Sequence, residues 1–408
     1  MLSIKKFLTL NPRLLAFGIV CTFFSGFGRT FFISMFGGEI RAALEISPGE
    51  FSYIYSGATL AGVLLLPWLG RLIDDMDLRV YTTALVFGLI GASAGMGFAT
   101  NTVILFVVLF IFRLTGGALM NHTAIVTVSR HFTRHRATAT GFISLGSPLA
   151  EALLPLAAVA TMAILGWRLA WFAYAIVLGV VLLPLILWLL RSEFGTRSSS
   201  ANEKGIPAGS DIQSGSWPRS RVVRDPDFYR VLPAVILPTP IMTTLFFHQA
   251  YIAEVKSWSL EWLATCFVAY AATSVIASLA TGPCVDRIGA SRILPLIGVP
   301  MIVGLFILAF GTMRDSAMAY MVAIGLTIGA RYTLSGAIWA ERYGVDHLGA
   351  IRALVSTVTM ILYGIAPALA GGLIDAGVDI ATIVTGMAIS LALVSGLAMT
   401  AGRPAPQS

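Results

Sequence analysis

The sequence predicts an all-α, polytopic membrane protein of twelve spanning helices in two pseudo-symmetric halves of six. Three observations lead there. Of 408 residues, 57% are hydrophobic and 12% charged, with mean hydropathy +0.85, whereas a soluble chain carries about 25% charged residues. Apolar stretches long enough to cross a bilayer recur along the whole chain. The basic residues, finally, fall almost entirely in alternate connections between those stretches.

Twelve segments can be placed, at about 14–37, 51–70, 79–98, 103–126, 137–160, 169–190, 229–252, 261–283, 291–311, 316–340, 349–372 and 379–400. The first follows Lys5, Lys6 and Arg13 and is too long for the apolar core of a signal peptide, so a spanning helix and no cleavable leader are expected. The fourth carries Arg113 at its centre. Pro148 and Pro155 predict a bend in the fifth, with freed carbonyls that neighbours or water must satisfy. Between the sixth and seventh lies a polar stretch rich in Ser, Gly and Arg with no apolar period, which reads as a flexible linker. The expected organisation is a six-helix half over 1–190, a linker over 191–228 and a second six-helix half over 229–408. Pro233, Pro238 and Pro240 predict a broken seventh segment.

Topology follows from the Lys and Arg count. With the N-terminus cytoplasmic, twenty basic residues face the cytoplasm: Lys5, Lys6, Arg13, Arg71, Arg79, Arg130, Arg134, Arg136, seven from Arg191 to Arg230, and Arg287, Arg292, Arg342, Arg352 and Arg403. Four (Arg41, Arg168, Lys256, Arg314) face the other side, and Arg29, Arg113 and Arg331 lie at membrane depth. The bias places the chain in the cytoplasmic (inner) membrane with both termini inside. It also accounts for the +7 net charge, so a nucleic-acid partner is not expected. Cys21, Cys266 and Cys284 read as small core residues, since they have neither metal spacing nor a paired pattern. There is no phosphate-cradling Gly-Lys-Ser/Thr loop, no Cys/His cluster and no Ser/His/Asp constellation. No cofactor, no metal and no enzyme activity are expected.

An internal repeat links the halves. Gly70-Arg-Leu-Ile-Asp74, followed by Arg79, recurs 212 residues later as Gly282-Pro-Cys-Val-Asp286, followed by Arg287 and Arg292, and the same offset carries Arg130 onto Arg342. On these residues the chain resembles the major facilitator superfamily over its whole length. Gly70, Asp74 and Arg79 resemble the superfamily's signature loop, and Asp286-Arg-Ile-Gly289 with Arg292 resembles its second-half counterpart. Arg113 with Gly117 resembles its fourth-helix arginine motif. The resemblance implies the twelve-helix fold and gating roles for Gly70, Asp74, Arg79, Asp286, Arg287 and Arg292. The chain departs from the signature at Met76-Asp77, where a glycine and a basic residue are usual. Gly166-Trp167-Arg168 and His347-Leu-Gly-Ala-Ile-Arg352 are similar to bacterial monocarboxylate-porter and oxalate/formate-porter relatives. Those relatives carry an arginine in the eighth helix, and this chain has none there before Arg287, nor a lysine in the eleventh segment.

Polar residues at membrane depth supply the candidate site, because each is costly unless it meets protein, water or a ligand. Arg113, Gly117 and Asn121 fall at i, i+4 and i+8 and share a helix face, with His122 on roughly the opposite one. Arg29 follows Ser25 and Gly26 on one face. It either snorkels to a surface about 12 Å away at helical rise or serves a cavity, and its distance from the helix end favours the cavity. Arg331 precedes Ser335 and Trp339 on a polar, aromatic face and is read as a substrate contact, with a structural salt bridge as the alternative. Glu151 is the one acid deep in the bundle. Its expected partner is Arg113, as a proton switch or as a static ion pair. His248, beside Gln249 under the expected break, is a second proton-coupling candidate and a substrate contact, with a structural histidine as its alternative.

Three deep arginines against one glutamate leave about +2 in the membrane, which calls for a negative occupant. The expected function is a secondary transporter for a small organic anion, a carboxylate first among them, working by alternating access. Symport with protons is the expected coupling, with antiport against another anion as its alternative, the lipid bilayer the surroundings and a monomer the working state. The substrate set is Arg29, Arg113, Asn121, His248, Gln249, Arg331 and Trp339, with Phe32 and Tyr251 in its aromatic lining, and the proton set is Glu151 and His248. The alternatives are a proton-driven exporter of amphipathic compounds and a non-transporting sensor or assembly protein on the same fold.

Overall fold

The computed structural model describes residues 11–132, 135–191 and 216–402. Lys5, Lys6, Arg134, Arg197, Lys204 and Arg403 of the topology count, and most of the expected linker, lie outside the described residues. All regular structure among the described residues is helical.

Ten helices are long and apolar enough to cross a membrane, and the bent pair Pro12–Gly28 and Thr30–Leu44 makes an eleventh span. One of the ten, Thr138–Leu189, has 52 residues, about 78 Å at helical rise and far more than a bilayer needs. It is two spans meeting at Gly166, whose φ of 73° a side chain would resist. Counted this way, the described residues contain the twelve expected spans. The second to fourth are Pro48–Asp75, Leu78–Gly97 and Thr102–His131, and the seventh is Pro226–Phe247, continued by Gln249–Lys256. The eighth to twelfth are Leu260–Ile288, Ala290–Phe310, Asp315–Tyr343, Leu348–Asp375 and Ile380–Met399.

Local sequence sets where many of these helices begin. Asn11, Asp77, Asn101, Asp225 and Asp379 each accept backbone amides at the N-terminus of the helix that follows, and Ser47 with Glu50 forms a capping box on the second segment. Each cap contributes about 1 kcal/mol. Asp77, one of the two departures from the signature loop, is thereby the cap of the third segment. Arg168 donates to the carbonyls of Gly97 and Ala99, at 3.2 and 2.8 Å, tying the start of the sixth segment to the end of the third.

The helices group into two compact units that do not follow the sequence halves. The first holds the first six segments with Leu245–Val268 and Pro367–Ala376; the second holds the described residues of Thr196–Thr244, with Ala269–Ala366 and Gly377–Ser408. In the first unit Phe32, Phe36, Phe112, Trp171 and Tyr174 form an aromatic knot, with ring centroids 4.6 to 6.4 Å apart for the contacts of Phe36 and Phe32 with Trp171 and Tyr174. In the second unit Phe228, Trp339 and Tyr343 anchor an apolar core with Ile297, Ile351 and Ala398. Cys21 and Cys266 are buried as expected, but Cys284 is exposed and is not a core residue.

Candidate functional site

The first segment is not the continuous helix its apolar pattern suggested. Pro12–Phe24 is α-helical and Ser25–Gly28 is a 3₁₀ turn; Arg29 is extended, at φ −95° and ψ 156°, before the chain resumes at Thr30. The two arms meet at 50°. The cause is local: Ser25-Gly26-Phe27-Gly28 has two glycines, each costing about 1 kcal/mol in a helix interior, and the Ser25 hydroxyl donates to the carbonyl of Thr22 at 2.7 Å. A break of this kind frees carbonyls at membrane depth, which protein must satisfy.

Arg29 stands at the break and reaches the fifth segment. Its Nη2 donates to Ser147 Oγ at 3.1 Å and its Nη1 lies 3.5 Å from Glu151 Oε1. Snorkelling is therefore overturned, because the guanidinium is held inside the bundle, its side chain 22% exposed against 11% for Glu151. The expected Arg113–Glu151 pair is overturned as well: the acid belongs to Arg29. Adjacency in sequence favoured the fourth segment, but the bent first segment brings Arg29 nearer. Pro155, which has no N–H, leaves the carbonyl of Glu151 itself without its helical donor.

Arg113 instead fills the break from the other side. Its Nη1 donates to the freed carbonyl of Gly28 at 2.7 Å, its Nε to Thr59 Oγ1 at 3.0 Å, and its guanidinium lies 5.3 Å from the centroid of Tyr55. The first and fourth segments touch backbone to backbone here. A Cβ on Gly28 would overlap the Phe112 carbonyl and the Gly117 amide, and one on Gly117 would lie 2.8 Å from the Gly28 carbonyl. Arg113 and Gly117 share this face as expected.

The register beyond them differs, because Arg113–Met120 is a π turn rather than α-helix. An i→i+5 turn holds more residues, so later side chains rotate less far. His122 consequently faces the second segment, 3.7 Å from where a Cβ of Gly70 would stand. Arg113, against Thr59, faces that same segment, and the opposite-face reading of His122 is corrected. Asn121, which opens the α-helix Asn121–His131, is half-buried.

The seventh segment breaks before Pro238, as its prolines predicted, and a second time at His248, where there is no proline, giving Pro226–Ile236, Pro238–Phe247 and Gln249–Lys256; Pro233 and Pro240 lie within helices. His248 and Gln249 are 3% and 0% exposed and are spent on contacts within the first unit. Gln249 Nε2 donates to the Phe31 carbonyl at 2.9 Å and to Ser34 Oγ at 2.7 Å, while Ser34 Oγ donates to the Phe246 carbonyl at 2.5 Å. His248 Nε2 lies 3.1 Å from the carbonyl of Pro367. Asp375 accepts from Ser47 Oγ at 2.5 Å and from the Gly49 amide at 3.0 Å. Arg41 meets Glu254 at 3.4 Å and lies 6.0 Å from the centroid of Tyr251. These bonds tie Leu245–Lys256 and Pro367–Asp375 to the first and second segments. Ser34 and Asp375 were not singled out in the sequence, where nothing distinguishes them from other helix-end polar residues.

In the second unit Arg331 stands midway along the tenth segment and donates from Nη1 to the Val235 carbonyl at 3.3 Å. That carbonyl lies one turn before Pro238 and Pro240. The arrangement parallels Arg113 and Gly28: in each unit an arginine of a long helix bonds a carbonyl beside a helix break. Arg331 Nε is buried with no acceptor, and among the described residues no carboxylate lies within ion-pair distance of it. Trp339 and Phe32 are both 0% exposed inside aromatic clusters, which corrects their assignment to a site lining. Their hydrophobic volume belongs to packing; i+8 spacing placed Trp339 near Arg331 along the helix but about 80° round it.

The signature loops are built asymmetrically. Asp74 pairs with Arg130, and Gly70 lies against His122. In the repeat, Asp286, Arg287 and Arg292 are exposed, and Arg342, the positional counterpart of Arg130, donates to the carbonyl of Gly402 at 3.1 Å instead of pairing with Asp286. The acid that organises this end is Glu341, which the sequence reading missed: it accepts from the amides of Ala290 and Ser291 at 2.5 and 3.1 Å, at the start of the ninth segment.

Two solved structures share this architecture at low identity. A bacterial homologue of the human lysosomal transporter Spinster, in an inward-facing and occupied conformation, superposes with a TM-score of 0.68 at 15% identity, covering 96% of each chain. Its inward-facing, unoccupied form gives 0.63 at 16% identity, covering 96% of this chain and 95% of the other. No curated protein matches the chain. The family profile described as Major Facilitator Superfamily matches residues 18–314, well over half of the 408. The chain belongs to the Major Facilitator Superfamily and is a multi-pass membrane transporter, not an enzyme.

Proposed function

We propose that the protein is a proton-coupled secondary transporter of a small organic anion, a carboxylate first among them. The observation that carries this reading is Arg331: a guanidinium at mid-membrane, bonded to one neutral carbonyl, with a buried Nε–H that has no acceptor among the described residues. A cation in that setting is stabilised by an anion, and a carboxylate offers the two-pronged acceptor that matches a guanidinium.

Glu151 and Arg29 supply the coupling. A proton on Glu151 removes its charge and releases Arg29. Arg29 begins the short helix Thr30–Ile33, and that arm carries the Phe31 carbonyl and Ser34, both bonded to Gln249. Protonation is thus linked mechanically to the contacts that alternating access must break. In this scheme Arg113, through Gly28, holds the break in place, while His248 and Gln249 act as gate rather than as substrate contacts.

The test is thermal stabilisation of the detergent-purified protein by a panel of small carboxylates, lipophilic cations and neutral solutes. A ligand of the folded state at a hundred times its Kd adds about 2.7 kcal/mol. Carboxylates are expected to stabilise the wild type and to lose that effect in Arg331→Gln. Stabilisation by lipophilic cations that survives Arg331→Gln overturns the anion reading in favour of an exporter of amphipathic compounds.

A further inference from the structure

We propose that the groove at the junction of the eighth, ninth, tenth and twelfth segments binds the phosphate of an anionic phospholipid, at a place separate from the transport site. A cavity of about 620 Å³ opens there, lined among others by Arg287, Arg292, Arg342, Ser291 and Glu341. Its polar chemistry is one-sided. Among the described residues the one lining carboxylate, Glu341, uses both oxygens on the amides of Ala290 and Ser291. Arg342 spends Nη2 on Gly402; among the described residues its buried Nε finds no acceptor and the buried Ser291 Oγ no partner. Arg287 and Arg292 are exposed, with no ion-pair partner among the described residues. Asp286, next to Arg287, does not line the groove, and Asp227 nearby is engaged by Arg230 at 2.8 Å and the Gly402 amide at 2.9 Å.

A site with three guanidiniums, one of them with a buried Nε–H lacking an acceptor, a buried serine hydroxyl lacking a partner and one fully occupied carboxylate selects an oxyanion. Its position selects the source. The groove lies where Leu260–Ile288 ends and Ala290–Phe310 begins, the depth of lipid headgroups for spanning helices. Exposed apolar side chains surround it: Ile288 at 51%, Leu296 at 59% and Met399 at 63%. A phosphodiester in the groove would leave its acyl chains along that surface, an arrangement that free phosphate cannot exploit.

Native mass spectrometry of the full-length protein tests this, with phosphatidylglycerol and phosphatidylcholine of matched chains, and with inorganic phosphate as competitor. Phosphatidylglycerol is expected to be retained over phosphatidylcholine, and its retention to fall roughly tenfold in Arg287→Gln/Arg292→Gln, which removes two exposed basic residues at headgroup depth. Ser291→Ala, which removes a buried hydroxyl that has no partner, should lower retention while keeping the fold. Arg71→Gln, an exposed arginine of another loop, should change nothing. Equal retention of the two lipids, or retention unchanged in the double variant, overturns the proposal. Displacement of phosphatidylglycerol by millimolar inorganic phosphate, with phosphate alone bound as well, overturns the lipid source and assigns the groove to free phosphate.

Discussion

Arg29 Nη1 and Glu151 Oε1 face each other at 3.5 Å, across from the point where the first segment breaks. That is an ion-pair distance but a poor hydrogen bond, and Ser147 makes the better contact with the same guanidinium at 3.1 Å. The pair therefore joins a charge that can be removed by one proton to a backbone that is already bent. Removal of that charge is expected to be felt along the whole short arm that follows.

In proteoliposomes, Glu151→Gln should retain flux of substrate down its own gradient and lose accumulation driven by a pH gradient. One pH unit is worth about 1.4 kcal/mol, about tenfold in accumulation. Uptake in the variant that still rises with the imposed gradient would remove Glu151 from the coupling path. Glu151→Leu should in addition cost about 2 kcal/mol, below the usual figure for a broken buried pair because Arg29 is 22% exposed.

Gly28→Ala should fail to reach the folded state in detergent, because its methyl group would overlap backbone atoms of Phe112 and Gly117 that cannot move aside. Overpacking of this kind costs about 1–3 kcal/mol where side chains can adjust, and more where only backbone is met. Gly38→Ala, with nothing within 4 Å, is the matched control and should melt like the wild type. Equal melting of the two variants would show that the first and fourth segments can separate at no cost.

Trp339→Phe should lower thermal stability while leaving substrate affinity unchanged, since the indole lies in the core of the second unit with no exposure. Trp339→Ala should cost about 3–5 kcal/mol. A change in apparent affinity for the stabilising carboxylate in Trp339→Phe, with stability intact, would return this residue to the site.

Gln249→Leu removes two hydrogen bonds from the contacts between Leu245–Lys256 and the first segment. At about 1 kcal/mol each, the loss shifts an open–closed equilibrium roughly 30-fold. In a background lacking Cys21, Cys266 and Cys284, a cysteine introduced by Ala253→Cys, a position 2% exposed, reports that opening. Labelling by a membrane-impermeant thiol reagent should accelerate about tenfold or more with Gln249→Leu. An unchanged labelling rate would show that these bonds do not hold the closed state.

The spans were readable because their signal is redundant: some twenty apolar residues mark each one, and a shift of two or three positions changes nothing. Arg29, Arg113, Arg331 and Glu151 were readable as unusual for the same reason, since ionisable groups are rare at that depth. The partners of these residues were less accessible. The break at Arg29 had a local signal in Ser25-Gly26-Phe27-Gly28, which the strong apolar pattern around it obscured. The π turn at Arg113–Met120 had none, and it rotated His122 toward the second segment.

By itself the sequence determined the all-helical class, the twelve spans and the few charges that membrane depth makes expensive, because burial in lipid acts over a single span. Only the tertiary structure decided that Glu151 meets Arg29, that Arg113 fills the carbonyl of Gly28, that Gln249 is held by Phe31 and Ser34, and that Trp339 is core. Those outcomes depend on bends and on backbone contacts between segments far apart in sequence, where one broken turn redirects every side chain beyond it.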